Sequence, residues 1–187
     1  MRSTMIVGLV LAVLFVADGR AKSPSYSVRV KSVLNESGME RREPRVVKFP
    51  GGQATIESTG ASEHIVVTGD DGKMRSESWC PMESGTYDQL SKFFKDFQTA
   101  TKTGQADVLP LLRFPFRVNG GGGRTLTRVD DLKRQYRQVF TARVVKRIQG
   151  EEPAAVFCRN GQAMMGDGSI WVHAEGGVVK ADVLNRW

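Results

Sequence analysis

Residues 86–104 read TYDQLSKFFKDFQTATKTG, and their spacing decides the fold class. Tyr87, Leu90, Phe93, Phe94, Phe97 and Ala100 recur at offsets of three and four, which places them on one face of an α-helix. Lys92, Lys95, Asp96 and Lys102 fall on the other faces. Thr86 followed by Gln89 has the form of a capping box, and Gly104 suits the helix end. A helix with so broad an apolar stripe must bury it against a second layer, which the rest of the chain has to supply.

Downstream, a shorter helix is expected over Ala106 to Leu112, and Pro115 marks an extended exit toward the glycines at 120–123. Another helix is expected to begin near Thr127. Val129, Leu132, Tyr136, Val139 and Phe140 form its apolar stripe, with Asp130 and Asp131 at the positive end of its dipole. Thr141 then suits the cap of a further helix with Val144, Val145 and Ile148 inward and Gly150 at its end; a strand is the alternative there, and the spacing favours helix. Beyond it, Asn160-Gly161, Gly166-Asp167-Gly168 and Gly176-Gly177 are hairpin turns between Ala155 to Cys158, Gln162 to Met165, Ser169 to Glu175 and Val178 to Leu184. Helices followed by an antiparallel meander predict an α+β fold.

Upstream, residues 22–85 read as short strands and turns. Tyr26, Val28 and Val30 alternate with Ser27 and Arg29, and Gly69-Asp70-Asp71-Gly72 separates His64 to Thr68 from Lys73 to Trp79 as a hairpin. Asn35 to Pro44 and Thr59 to Glu63 are polar enough to be loops. At the start, Arg2 precedes an apolar run of 13 residues from Met5 to Ala17, and Gly19 and Ala21 are the small residues of a cleavage site. This is the pattern of a secretory signal peptide, and the run is shorter than the roughly 18 residues expected of a membrane span. The expected organisation is a signal peptide over 1–21, a β-rich N-terminal extension over 22–85 and an α+β domain over 86–187, in a protein that is periplasmic or secreted after cleavage near Ala21.

The chain carries a formal net charge of +7, which favours anionic partners or describes a well-solvated surface. Its two cysteines, Cys80 and Cys158, have one possible intramolecular pairing, so an exported chain is expected to bridge them, with two buried free thiols as the alternative.

Four segments then form a recognisable series: Phe93-Phe94-Lys95-Asp96-Phe97, Phe114-Pro115-Phe116-Arg117-Val118-Asn119-Gly120, Val139-Phe140-Thr141, and Ala163-Met164-Met165-Gly166-Asp167-Gly168-Ser169-Ile170-Trp171-Val172. In that order they resemble uncharacterised bacterial periplasmic proteins with an NTF2-like (cystatin-like) fold, over roughly residues 86–185. The resemblance implies N-terminal helices packed on a curved antiparallel sheet, a cone with room for a pocket. It implies no activity and carries over no functional residue. Relatives of this broad fold include ketosteroid isomerases, dehydratases, polyketide cyclases and non-catalytic binding domains, so the fold does not choose among them.

Among individual residues His173 stands out. On a strand over Ser169 to Glu175, it shares a face with Trp171 and Glu175, while Ile170, Val172 and Ala174 share the other. If the first face lines a pocket, His173 would serve as general base or acid with Glu175 or Asp96 assisting. If the second faces the core, His173 and Glu175 lie on a solvated surface, and this is the expected arrangement. Asp96 sits among core-facing phenylalanines and is expected to face water. Gly120 to Gly123 with Arg124 lacks the ending of a phosphate-binding loop and reads as a flexible loop. Two cysteines and two separated histidines give no metal-ligand spacing, so no metal and no cofactor are expected.

The helices at 127–150 bring Arg134, Arg137, Arg143, Lys146 and Arg147 to one region, a candidate binding surface for an anionic polymer or an acidic protein. Nucleic acid is not expected, since aromatics do not interleave with these bases. The leading expectation is an exported, soluble, non-enzymatic binding protein whose ligand is an envelope protein, an anionic polymer or a small molecule, with homodimerisation through an open sheet face compatible with the fold. The alternatives are a pocket enzyme of the isomerase, dehydratase or cyclase kind using His173, and an inhibitor or immunity-type protein.

Overall fold

A computed structural model of the protein describes residues 43–165 and 167–186, together with the backbone of two short strands, β1 (Ser32–Leu34) and β2 (Glu40–Arg42), which pair antiparallel. The segment read as a signal peptide, 1–21, and the alternation at 26–30 lie outside the described residues. Strand β2 falls within the segment expected as a loop over Asn35 to Pro44.

Strands β3 (Arg45–Phe49), β4 (Gly52–Ser58), β5 (Ser62–Gly69) and β6 (Met74–Pro81) form an antiparallel sheet in sequence order. The Gly69 to Gly72 turn joins β5 to β6 as expected, with His64 opposite Trp79. The loop expected over Thr59 to Glu63 is shorter, because β5 begins at Ser62 and Glu63 is buried. That carboxylate accepts the backbone N–H of Tyr87, one of the donors that the first turn of a helix leaves without an internal partner.

Helix α1 (Tyr87–Thr103) follows the stripe predicted for it, with Tyr87, Leu90, Phe94 and Phe97 fully buried. Both halves of the capping box form: the Gln89 N–H donates to Thr86 Oγ1 at 3.4 Å, and the Thr86 N–H donates to Gln89 Oε1 at 2.9 Å. The next helix is shorter than expected. Helix α2 covers Gln105–Val108, a 3-10 turn covers Leu109–Leu111, and Leu112 already belongs to strand β7 (Leu112–Asn119). Pro110 has no N–H to continue an α-helix, so the chain tightens and leaves.

After β8 (Arg124–Leu126), helices α3 (Val129–Val139) and α4 (Ala142–Gly150) form where the periodicity places them, and Thr141 Oγ1 accepts the Val144 N–H at 3.3 Å as the cap of α4. The meander then runs through β9 (Val156–Arg159), β10 (Gln162–Met165), β11 (Ile170–Glu175) and β12 (Val178–Asn185), all antiparallel neighbours.

The fold is α+β, but the second sheet is not purely antiparallel. Its order is β8-β7-β12-β11-β10-β9, and β12 runs parallel to β7, with Val183 opposite Arg117 and Leu184 opposite Val118. Two helices and four strands separate β7 from β12, a connection long enough for a parallel pair. Hairpin turns in the sequence report only neighbouring strands, so this pairing leaves no local signal.

One hydrophobic cluster runs through both sheets and the helices, from Ala54 and Ile65 through Phe94 and Phe97 to Leu132, Ile148, Val172 and Leu184. Within it Phe140 lies beside Phe97 and Phe116, with ring centroids 6.2 and 6.5 Å apart respectively. The expected disulfide is present: Cys80 in β6 and Cys158 in β9 are bonded, with Cα atoms 5.1 Å apart, tying one outer strand of each sheet to the other. Two hydrogen bonds follow the same seam, from the Ser84 hydroxyl to the Gly161 carbonyl at 2.8 Å and from the Tyr87 hydroxyl to the Ala154 carbonyl at 2.9 Å.

Candidate functional site

Alternation along β11 sorts its residues onto two faces. Ile170 and Val172 are fully buried and Ala174 nearly so, whereas Trp171 and His173 are half-buried and Glu175 is exposed on the opposite, outward face. Opposite them β12 contains a bulge: Trp171 pairs with Val183 and Val172 with Ala181, which leaves Asp182 as the extra residue. Asp182 comes within electrostatic reach of His173 and Arg113. Burial pushes its carboxyl above the ordinary range, while His173, Arg113 and a 3.0 Å hydrogen bond donated by Gln162 pull the other way. The second carboxyl oxygen, Oδ1, is buried without a hydrogen-bond partner. Arg113, from β7, pairs with Glu175 at 3.2 Å.

Pairing register extends this arrangement across the sheet. Arg117, Val183, Trp171 and Met164 lie side by side on β7, β12, β11 and β10, and His173 stands opposite Lys180. Arg159 is the last residue of β9, at the turn where Asn160 and Gly161 both take positive φ (53° and 73°), the backbone that an Asn-Gly hairpin favours. Arg117 is held by a relay. Its Nε donates to Asn119 Oδ1 at 2.8 Å, Asn119 Nδ2 donates to Asn185 Oδ1 at 2.7 Å, and Asn185 Nδ2 donates to the Gly168 carbonyl at 2.6 Å.

Four adjoining concavities run over this face. The first, about 560 Å³, has apolar walls from Leu109, Phe114, Val129 and Val178, and shares Arg113 and His173 with the second, about 610 Å³. The second shares Asn160 and Gln162 with the third, about 340 Å³, which contains Arg117, Arg159 and Trp171. The third shares Arg117 and Asn119 with the fourth, about 440 Å³, beside Arg124. Together they make a trough lined by Arg113, Arg117, Arg159 and Lys180, with Glu83, Glu175 and Asp182 as its acidic residues, while the Arg124 guanidinium at its rim donates to Gln135 on α3.

The residues singled out from sequence fall in several places. Asp96 is exposed and pairs with Lys92 at 2.5 Å on α1, a helix packed into the core on the inward side, so it is not brought to His173. Among the five basic residues of α3 and α4, Arg134 pairs with Asp131 at 2.6 Å and Arg147 pairs with Asp167. Arg137, Arg143 and Lys146 are exposed and make no ion pair among the described residues. Gly120 packs against the chain at Arg186, whose carbonyl oxygen would lie 1.8 Å from an added Cβ, and its own carbonyl accepts from Arg186 Nη2 at 3.1 Å. The glycine run is therefore anchored at its start. No cluster of three or more His, Cys, Asp or Glu able to hold a metal occurs among the described residues.

The trough cations were not singled out from sequence. Arg113, Arg117, Arg159 and Lys180 come from three strands, and only the outward phase of each strand connects them; Arg124, opposite the inward Val118, turns the other way and donates to Gln135 on α3. Away from the trough, at the end of α4, burial pushes the Glu151 carboxyl up to about 8, with the neighbouring Asp167 carboxylate adding to the effect and Arg147 opposing it. Burial acts on Asp167 too, but its partners, Arg147 and the Ser169 N–H among them, hold it below the ordinary range.

The chain matches no protein-family model, no curated protein and no solved structure.

Proposed function

We propose that this is an exported, non-enzymatic binding protein that takes an anionic partner along the outward trough of its six-stranded sheet. The observation that carries the reading is the convergence of Arg113, Arg117, Arg159 and Lys180 on one set of joined concavities. Such a lining attracts and orients negative charge. The cysteine bridge supports an oxidising compartment, in keeping with the leader read at 1–21. No helix among the described residues is long and apolar enough to cross a membrane.

Helices packed on one face of a six-stranded sheet support the NTF2-like reading, although the parallel β7–β12 pair departs from the antiparallel sheet that the resemblance implied. The inward side, where a cone would hold its pocket, is occupied by Phe94, Phe97, Phe116 and Phe140. His173 stands on the other side, with Asp96 out of reach, which favours binding over pocket catalysis.

The test is binding of the mature, oxidised chain to dextran sulfate over a range of salt. The double variant Arg117→Glu/Arg159→Glu is expected to weaken binding by roughly tenfold or more, and Arg137→Glu/Arg143→Glu, on the helices, by less than about twofold. The reverse order would move the binding surface to the helices and overturn the assignment.

A further inference from the structure

The inference here rests on the outward trough being the recognition surface, and it names the chemistry of the partner. We infer that the trough binds an acidic polysaccharide, with one pyranose ring stacked on Trp171 and its carboxylate received by Arg117 and Arg159.

Three side-chain types meet in the 340 Å³ concavity, and each matches a different part of a uronic acid residue. Trp171, half-buried, lines this concavity and is its aromatic group, the type that receives the C–H face of a sugar ring. Asn160 carries an amide, and Asn119 and Gln162, although bonded to Arg117, Asn185 and Asp182, each keep a second N–H and a carbonyl lone pair; such groups suit hydroxyls, themselves donors and acceptors. Arg117 and Arg159 carry planar guanidinium groups, whose paired N–H donors match the two oxygens of a carboxylate. The Arg117 to Asn119 to Asn185 relay uses the Nε of Arg117 and leaves its η nitrogens without a partner among the described residues. The guanidinium is thus oriented before a ligand arrives. The volume lies within the roughly 300–1,000 Å³ typical of ligand pockets.

The neighbouring concavities favour a chain over a single sugar, because the lining continues through shared residues on both sides. The charge pattern narrows the class further. Glu83 and Asp182 interrupt the positive lining beside Gln162, so the partner's negative groups must be spaced apart. A polymer with one carboxylate per sugar spaces its charges by a pyranose ring, whereas polyphosphate sets them at a much shorter repeat and finds the amide acceptors unfavourable. An acidic peptide adding as a strand is disfavoured here, since the backbones of β11 and β12 are already paired on both sides.

The experiment is calorimetric titration of the mature, oxidised chain with an oligogalacturonate, its neutral carboxyl-reduced counterpart, polyglutamate and polyphosphate, at matched salt and with the three anions matched in charge. The oligogalacturonate is expected to bind at least roughly tenfold more tightly than the other three. Trp171→Ala should weaken it by roughly tenfold while leaving residual polyphosphate binding unchanged. Arg159→Gln, at an exposed position where folding is not at stake, should reduce oligogalacturonate binding toward that of the carboxyl-reduced oligomer. Equal binding of polyphosphate or polyglutamate, equal binding of the reduced oligomer, or indifference to both variants would overturn the saccharide assignment. Continued binding of dextran sulfate under those results would leave the anionic-partner reading standing. Loss of that as well would overturn both.

Discussion

The two faces of the six-stranded sheet come from the same strands, one residue apart, and are held by different physics. On β7, Phe116 and Val118 have no exposure while Arg117 between them is exposed; on β11, Val172 is sealed between the half-buried Trp171 and His173. The inward residues are fixed by packing against α1 and its neighbours. The outward ones are fixed by directed hydrogen bonds, such as the relay from Arg117 to Asn185, and by ion pairs such as Arg113 with Glu175. Stability is concentrated on one face, so the other is free to carry recognition with little consequence for folding.

That contrast is sharpest for aromatic truncation. Phe97→Ala should lower unfolding free energy by about 3–5 kcal/mol in a denaturant titration, because Phe97 is fully buried among other rings. A loss below about 1 kcal/mol would mean that the inward face is not a packed core. Next comes the seam between the sheets. Cys80→Ser with Cys158→Ser should remove about 2–5 kcal/mol, measured in the same way on the oxidised wild type and the variant.

A pH effect is expected from Glu151, whose carboxyl is raised from 4.5 to about 8 by burial and then by Asp167. The fold favours the protonated acid, so its stabilising contribution is complete below 4.5 and is lost as pH rises through about 8. Glu151→Gln should flatten that decline and be more stable than wild type at about pH 9, as read by thermal melts across pH. An unchanged slope would show that Glu151 ionises without consequence. Smallest of all, Arg159→Ala on the outward face should shift stability by no more than about 0.5 kcal/mol. A larger loss there would break the division of labour between the faces.

Elements written into contiguous residues were legible in the sequence. The capping box at Thr86 and Gln89, the Gly69 to Gly72 hairpin, the meander turns and the pairing of the only two cysteines each depend on a few neighbours or on simple elimination. The parallel pairing of β12 with β7 was not, because no turn connects them. The bulge at Asp182 was hidden for a related reason: an extra residue shows only against its partner strand. Val129 illustrates the limit of periodicity, since it belongs to the apolar stripe of α3 yet is 40% exposed at the wall of the first concavity. The basic residues of α3 and α4 looked like a surface for partners because their spacing is local, but Asp131 and Asp167 neutralise two of them. The trough assembles from cations that no window of sequence contains.

The position of β12 also bears on when the molecule can become itself. It lies between β7 and β11, yet it is made after both. Until residues 178–185 arrive, the sheet is two separate ribbons, β7 with β8 and β9 with β10 and β11, each presenting an unpaired edge where β12 belongs. For a chain delivered N-terminus first, closure waits on one late segment, and contacts across some 66 positions, such as Leu184 with Val118, form last. Such timing makes the final strand the latch of the folded state.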